Sequence, residues 1–323
     1  MKKVILGILV LVLTSEINAN EFGVNNNNTL FGGFGLYNSE ISQSDILCNN
    51  GDSSACLLIA DSYFFGSKML PLNYSMAAKY YKKAYDIGGD PRGFVNLGFI
   101  YQNGLIDMNK NYEEAFKYYK ISCDYRVPNG CYNLATLYRD GLGTEKDTKK
   151  AVELFEMACN NGFFKGCLTL SSFYGLGLYV EQDYTKSFEY SKKGCDGGDI
   201  ASCTLLGTAY YHGEGVEQDY EMAYKYAKES CDKDTSQCAL LGGLYEDGFA
   251  VKKDLQKARE YYKISCESNN NNAAGCLGLG FIYLNGKGIR QDDNLALEYF
   301  GKACDLGEET GCKQYANLKK LMR

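Results

Sequence analysis

The 323-residue sequence predicts an all-α fold, a superhelical solenoid of αα-hairpins. Three observations predict it. The 14 cysteines fall into seven close pairs that recur with a period of about 36 residues. A small residue, a tyrosine and a glycine follow each second cysteine at fixed offsets. An asparagine or aspartate then stands at one fixed place, before a second run with its own small–aromatic spacing.

The first half of each unit is helix A. Four residues beyond the second cysteine position stand Ala60, Gly98, Ala135, Ser171, Gly207, Gly242 and Gly280. Three further on is always tyrosine: Tyr63, Tyr101, Tyr138, Tyr174, Tyr210, Tyr245 and Tyr283. Three beyond that is always glycine, from Gly66 to Gly286. These spacings lie on one helical face, and glycine is a natural helix stop. The second half is helix B. It opens on Asn73, Asn111, Asp147, Asp183, Asp219, Asp254 or Asp292, whose short side chains can accept from the free amides of the first turn. Small residues (Ala77 to Ala296) and then Tyr80, Tyr118, Leu154, Tyr190, Tyr226, Tyr261 or Tyr299 follow. One such hairpin cannot bury its apolar face alone, whereas stacked neighbours can.

The remaining segments are short. Lys2 and Lys3, the apolar run Val4–Leu13 and a small-residue end at Ala19 form the pattern of a secretory signal peptide over residues 1–19. Ten apolar residues are too few to span a bilayer. Residues 20–34 are rich in Asn and Gly and read as a flexible leader. Residues 35–323 are expected to form the solenoid, about seven repeats with terminal capping helices. Export places the chain in the periplasm or outside the cell, with no stable membrane insertion once the signal is removed, and in an oxidising compartment.

Composition excludes several functions. A net charge of -6 argues against general nucleic-acid binding, which needs a basic surface. A single histidine excludes a His-based zinc site or a His pair in catalysis. Cys-x7-Cys is not a usual zinc spacing, so neither metal nor cofactor is expected.

Leu-Gly-x-x-Tyr in helix A and Ala-x-x-Tyr-Tyr in helix B resemble the Sel1-like relatives of the tetratricopeptide repeat. With the added Cys-x7-Cys, the chain resembles the Helicobacter cysteine-rich protein family of secreted Sel1-like proteins. The resemblance covers roughly residues 36–323. It departs from the pattern at Tyr85 and Phe94, which replace one cysteine pair, and at the irregular spacings 231/238 and 266/276.

Two connectivities suit such hairpins. A local scheme joins Cys48–Cys56, Cys123–Cys131, Cys159–Cys167, Cys195–Cys203, Cys231–Cys238, Cys266–Cys276 and Cys304–Cys312. The other joins the two ends of one hairpin, as in Cys131–Cys159. The second would orphan Cys48, Cys56, Cys123 and Cys312, and the joint replacement at Tyr85 and Phe94 favours the seven local bridges.

The resemblance implies β-lactam binding and weak β-lactamase activity, so a β-lactam-amide hydrolase is the alternative function. One Ser-x-x-Lys occurs, Ser230-Cys231-Asp232-Lys233, the spacing that sets a lysine one helical turn from a nucleophilic serine. No Ser-Asp-Asn or Lys-Thr-Gly accompanies it, and Tyr315-Ala-Asn317 falls in the last helix A. Gly213-Glu-Gly215 recurs as a turn rather than a phosphate loop, and His212 is a turn residue.

Positions that vary between repeats on helix A are free for recognition. They are Asn96 and Asn133; Phe99, Thr136, Ser172 and Thr208; and Gln102, Arg139 and Tyr211. Asparagine amides can donate to and accept from an extended peptide backbone, and arginine can take a carboxylate. The expected function is therefore an exported, disulfide-stapled binding protein. Its concave groove would hold a peptide, a peptidoglycan fragment or another protein.

Overall fold

The structure is a computed structural model that describes residues 43–66, 71–269 and 272–322. The expected signal peptide and leader lie outside the described residues. Every described element is a helix, and the helices form consecutive hairpins in two compact units that divide after Gly166.

The first unit holds α1 (residues 43–49), α2 (Ser53–Phe65), α3 (Tyr74–Gly88), α4 (Gly93–Asn103), α5 (Tyr112–Asp124), α6 (Pro128–Asp140) and α7 (Thr148–Asn160). The second begins within α8 (Lys165–Leu176). It continues with α9 (Tyr184–Asp196), α10 (Ile200–His212), α11 (Tyr220–Lys233), a 3-10 turn (Thr235–Cys238), α12 (Ala239–Asp247), α13 (Leu255–Cys266), α14 (Ala273–Asn285), α15 (Asp293–Asp305) and α16 (Glu309–Leu321). Helix A elements are α2, α4, α6, α8, α10, α12, α14 and α16. Helix B elements are those between them.

The fixed acidic or amide residue caps helix B in every repeat. Asn73 Oδ1 accepts from the Met76 amide at 3.0 Å, Asp147 Oδ1 from Lys150 at 2.9 Å, and Asp292 Oδ1 from Asn294 and Leu295 at 3.0 Å each. The same residue also closes the hairpin through its backbone. Its N–H donates to the carbonyl of the repeated helix A tyrosine: Asn73 to Tyr63 at 2.8 Å, Asp183 to Tyr174 at 2.9 Å, Asp292 to Tyr283 at 3.1 Å. One residue thus satisfies an orphan helix-end donor and sets the turn.

The cysteines join each helix B to the next helix A. Cys48–Cys56, Cys123–Cys131, Cys195–Cys203, Cys231–Cys238, Cys266–Cys276 and Cys304–Cys312 are bonded locally, with Cα–Cα separations of 4.4–4.8 Å. Cys159 and Cys167 are also oxidised. No described cysteine is free. Closing so short a loop stabilises the fold by about 2.5 kcal/mol per bridge in the chain-entropy account. At the junction without cysteines, the Tyr85 and Phe94 rings pack with centroids 4.4 Å apart, and Phe94 packs on Tyr118. An aromatic contact there replaces the covalent one.

Outer packing is carried by tyrosine pairs, one from each helix of a hairpin. Tyr63–Tyr80, Tyr101–Tyr118, Tyr174–Tyr190, Tyr210–Tyr226, Tyr245–Tyr261 and Tyr283–Tyr299 all stack, with centroids 5.5–6.0 Å apart. Between the helices, some large helix B side chains lie over helix A glycines. A Cβ on Gly98 would stand 2.5 Å from the Tyr119 ring, so glycine is what admits the aromatic at this crossing.

Candidate functional site

The candidate site is built on the open stripe of helix A in the first unit. In α4, Gly93, Phe94, Val95, Leu97, Gly98 and Ile100 are buried, which leaves Asn96, Phe99 and Gln102 along one edge. In α6 the corresponding residues are Asn133, Thr136 and Arg139. Helical spacing of three places each set on one face.

Helix B tyrosines reach through to this stripe and fix its polarity. The Tyr119 hydroxyl donates to Gln102 Oε1 at 2.8 Å. The oxygen end of Gln102 is therefore engaged, and its two N–H donors make no hydrogen bond among the described residues. One repeat earlier, the Tyr81 hydroxyl donates to Asp61 Oδ1 at 2.6 Å, and Asn96 Nδ2 donates to the Tyr81 oxygen at 2.8 Å and to Asp61 Oδ1 at 3.4 Å. Asn96 is held by its nitrogen, and its oxygen makes no hydrogen bond among the described residues. Burial raises the Asp61 carboxyl above the usual carboxylate range, against the opposing pull of Tyr81, Asn96 and the Arg92 cation. Burial also pushes the Tyr119 hydroxyl up, which keeps it a donor.

Asn133 differs from both. The residue is only 6% exposed, and among the described residues its side-chain amide makes no hydrogen bond. It is not among the fully enclosed unpartnered groups, which are the hydroxyls of Ser122, Ser202 and Ser230. Its amide therefore sits at the surface edge with both donor and acceptor capacity unused. Beside it, the Thr136 hydroxyl donates to the Asn133 carbonyl at 2.7 Å, and Arg139 forms a two-point pair with Asp140 at 2.7 Å. Phe99 packs against the apolar core of this unit.

The second unit corrects part of the expected recognition surface. Ser172 and Thr208 are buried, and their hydroxyls donate back to Leu168 O at 3.0 Å and Thr204 O at 2.9 Å. A short hydroxyl on a covered helix face satisfies itself in its own preceding turn, so these two residues are not available to a ligand. Tyr211 donates its hydroxyl to Asp247, and its ring meets His212, Tyr220 and Phe249. Glu246 accepts from the Tyr262 hydroxyl at 2.9 Å and pairs with Lys287. The sequence pattern points to none of Asp61, Glu246, Asp247 or Lys287. Asp61 stands at the same helix A offset as Phe99 and Thr136, and that register is the signal that could have found it.

Ser230 and Lys233 do not form a catalytic pair. The Ser230 hydroxyl is fully buried and unpartnered, while Lys233 extends into solvent and donates to Glu229 Oε1 at 2.8 Å. A nucleophile needs both an accessible oxygen and a base within hydrogen-bond reach. Among the described residues, no group of three or more His, Cys, Asp or Glu could hold a metal ion.

Hairpins of this geometry, repeated at this interval, define a class of α-solenoid. The Sel1 repeat pattern matches seven segments: residues 53–89, 95–124, 128–163, 166–199, 200–234, 238–270 and 273–308. The chain belongs to the Sel1 repeat family. It is 31% identical over 99 residues to "ERAD-associated E3 ubiquitin-protein ligase component HRD3B" of Arabidopsis thaliana, a match covering 31% of this chain and 15% of that protein. It is 36% identical over 61 residues to "Putative beta-lactamase HcpC" of Helicobacter pylori, covering 19% of each chain. Both matches therefore span less than a fifth of the relative's length. Among solved structures, it is similar to c5321, a protective antigen of uropathogenic Escherichia coli with an SLR fold. The TM-score is 0.66 at 25% identity, over 86% of this chain and 59% of that one. A Sel1 repeat protein from Oxalobacter formigenes gives a TM-score of 0.60 at 25% identity, over 82% of this chain and 99% of that one.

Proposed function

We propose that this chain is an exported, disulfide-stapled binding protein that holds an extended peptide segment against α4 and α6. The observation that carries the reading is the Asn133 amide, nine-tenths buried and without a partner. At the surface edge its donor and its acceptor are both open to a ligand backbone. Asn96 offers an acceptor and Gln102 offers donors on the neighbouring helix A, and a peptide backbone needs both. Export is supported by the fully oxidised cysteines, which persist in oxidising compartments. Among the described residues no helix is long and apolar enough to cross a membrane.

The test is selection of a displayed random-peptide library on the oxidised protein, with the Asn133→Ala protein as a parallel bait. Peptides enriched on the parent should bind about tenfold more weakly to Asn133→Ala, with an unchanged melting temperature. Equal enrichment on both baits would remove Asn133 from the site and sink the reading.

A further inference from the structure

Tyr81, Tyr119 and Tyr262 stand at the same place in their repeats, eight residues after the helix B cap. Each hydroxyl donates to a side chain of its own helix A: Tyr81 to Asp61 at 2.6 Å, Tyr119 to Gln102 at 2.8 Å and Tyr262 to Glu246 at 2.9 Å. Two of the three acceptors are carboxylates, and a half-buried carboxylate calls for a counter-charge.

Around Glu246 the chain supplies one. Oε2 takes the Tyr262 hydroxyl, and Oε1 takes the ammonium of Lys287, which comes from the turn after α14. Asp61 has the tyrosine without the cation. Its Oδ1 accepts from Tyr81 and Asn96, while its Oδ2 makes neither a hydrogen bond nor an ion pair among the described residues. That oxygen is not among the enclosed unpartnered atoms, so solvent reaches it. Arg92 acts on Asp61 only from a distance, being itself paired with Asp90 at 2.6 Å. Burial holds the Asp61 carboxyl above the usual carboxylate range, as expected of a charge short of a partner.

The surroundings of Asp61 suit a long basic side chain. Leu58 lies three residues before it and Phe65 four after it, so the three share one helical face. Leu58 is 58% and Phe65 41% exposed. A lysine lays its methylene stem on apolar surface while its ammonium reaches a charge. The combination belongs to α2 alone among the first repeats, since the places equivalent to Asp61 in α4, α6, α8 and α10 hold Phe99, Thr136, Ser172 and Thr208.

We propose that Asp61, with Tyr81 and Asn96 behind it and Leu58 and Phe65 beside it, is a subsite for a lysine side chain of a bound segment. Lys287 on Glu246 is the chain's own copy of that contact. The subsite extends the peptide-binding reading to the neighbouring helix A, but it rests on Asp61 and Tyr81 and not on Asn133.

The probes are a capped polyalanine peptide with one central lysine and the same peptide with that lysine acetylated, titrated calorimetrically into the full, oxidised protein at neutral pH. The parent should bind the lysine peptide about tenfold more tightly than the acetylated one. Asp61→Asn, which keeps an oxygen for Tyr81, should bring the two to equal affinity with the helical signal unchanged. Equal binding by the parent overturns the proposal, and so does a lysine preference that survives in Asp61→Asn. Asn133→Ala separates the subsite from the reading of α4 and α6. It should weaken both peptides alike and keep their ratio. If it weakens neither while the ratio persists, the subsite stands and that reading falls.

Discussion

The Tyr119 hydroxyl and Gln102 Oε1 meet at 2.8 Å, so a residue buried on helix B decides which end of the Gln102 amide is engaged. Tyr119→Phe should lower stability by about 1 kcal/mol, the usual net worth of one hydrogen bond. It should also let the Gln102 amide turn, weakening any captured peptide without touching the surface itself. Denaturant unfolding and peptide titration of the same variant separate the two effects.

Asp61 predicts a pH dependence. Its carboxyl holds a proton to higher pH in the folded chain than in the unfolded chain, because burial disfavours the charge. Between the unfolded and the raised folded pKa the native state binds more protons, so stability falls as pH rises through that window. Asp61→Asn keeps an oxygen for Tyr81 and removes the titration. Its unfolding free energy should be flatter across mildly acidic pH and higher than the parent's at neutral pH. A parent-like slope in the variant would show that another group sets it.

The turn after helix A predicts opposite effects at equivalent places. Gly143, Gly215 and Gly288 have φ near +70°, and Ala250 is held at +59° in the same position of its repeat. A Cβ on Gly215 would also stand 2.0 Å from the Tyr184 carbonyl oxygen. Gly215→Ala should cost about 2–3 kcal/mol, strain and clash together. Ala250→Gly should stabilise by about 0.5–1 kcal/mol, because relief of left-handed strain exceeds the added chain entropy. Thermal melts of the two variants check the pair of signs.

Replacing Cys123 and Cys131 together by serine should cost about 2.5 kcal/mol from the lost loop constraint. Rapid non-reducing peptide mapping of that variant should find the other bridges unchanged, because each one is local.

Ser230→Ala should leave turnover of a chromogenic β-lactam where it is in the parent, since the hydroxyl is enclosed and Lys233 is engaged with Glu229. A loss of rate on that substitution would mean that this helix end opens in solution.

The hairpins, caps and bridges were legible in the sequence because each depends on residues a few positions apart. Asn73 and Met76, or Cys123 and Cys131, meet through local geometry alone, and seven copies reinforce the signal. The burial of the expected recognition residues was legible only in part. Asn96 and Gln102 are half-buried, whereas Asn133, Ser172 and Thr208 are buried, because exposure depends on what packs over the helix. Glu246 was missed for a related reason. Its partners Tyr262 and Lys287 come from different later elements, and no spacing within one repeat joins them.

The bridges also bear on how the chain matures. Each described pair links cysteines that are consecutive along the sequence. On the export proposed above, a thiol oxidase that joins cysteines in the order they emerge makes the native bridge by default. No native bridge has to wait for a distant partner, and reshuffling by an isomerase is not required. Each hairpin can be locked to its predecessor while the remainder of the chain is still being delivered.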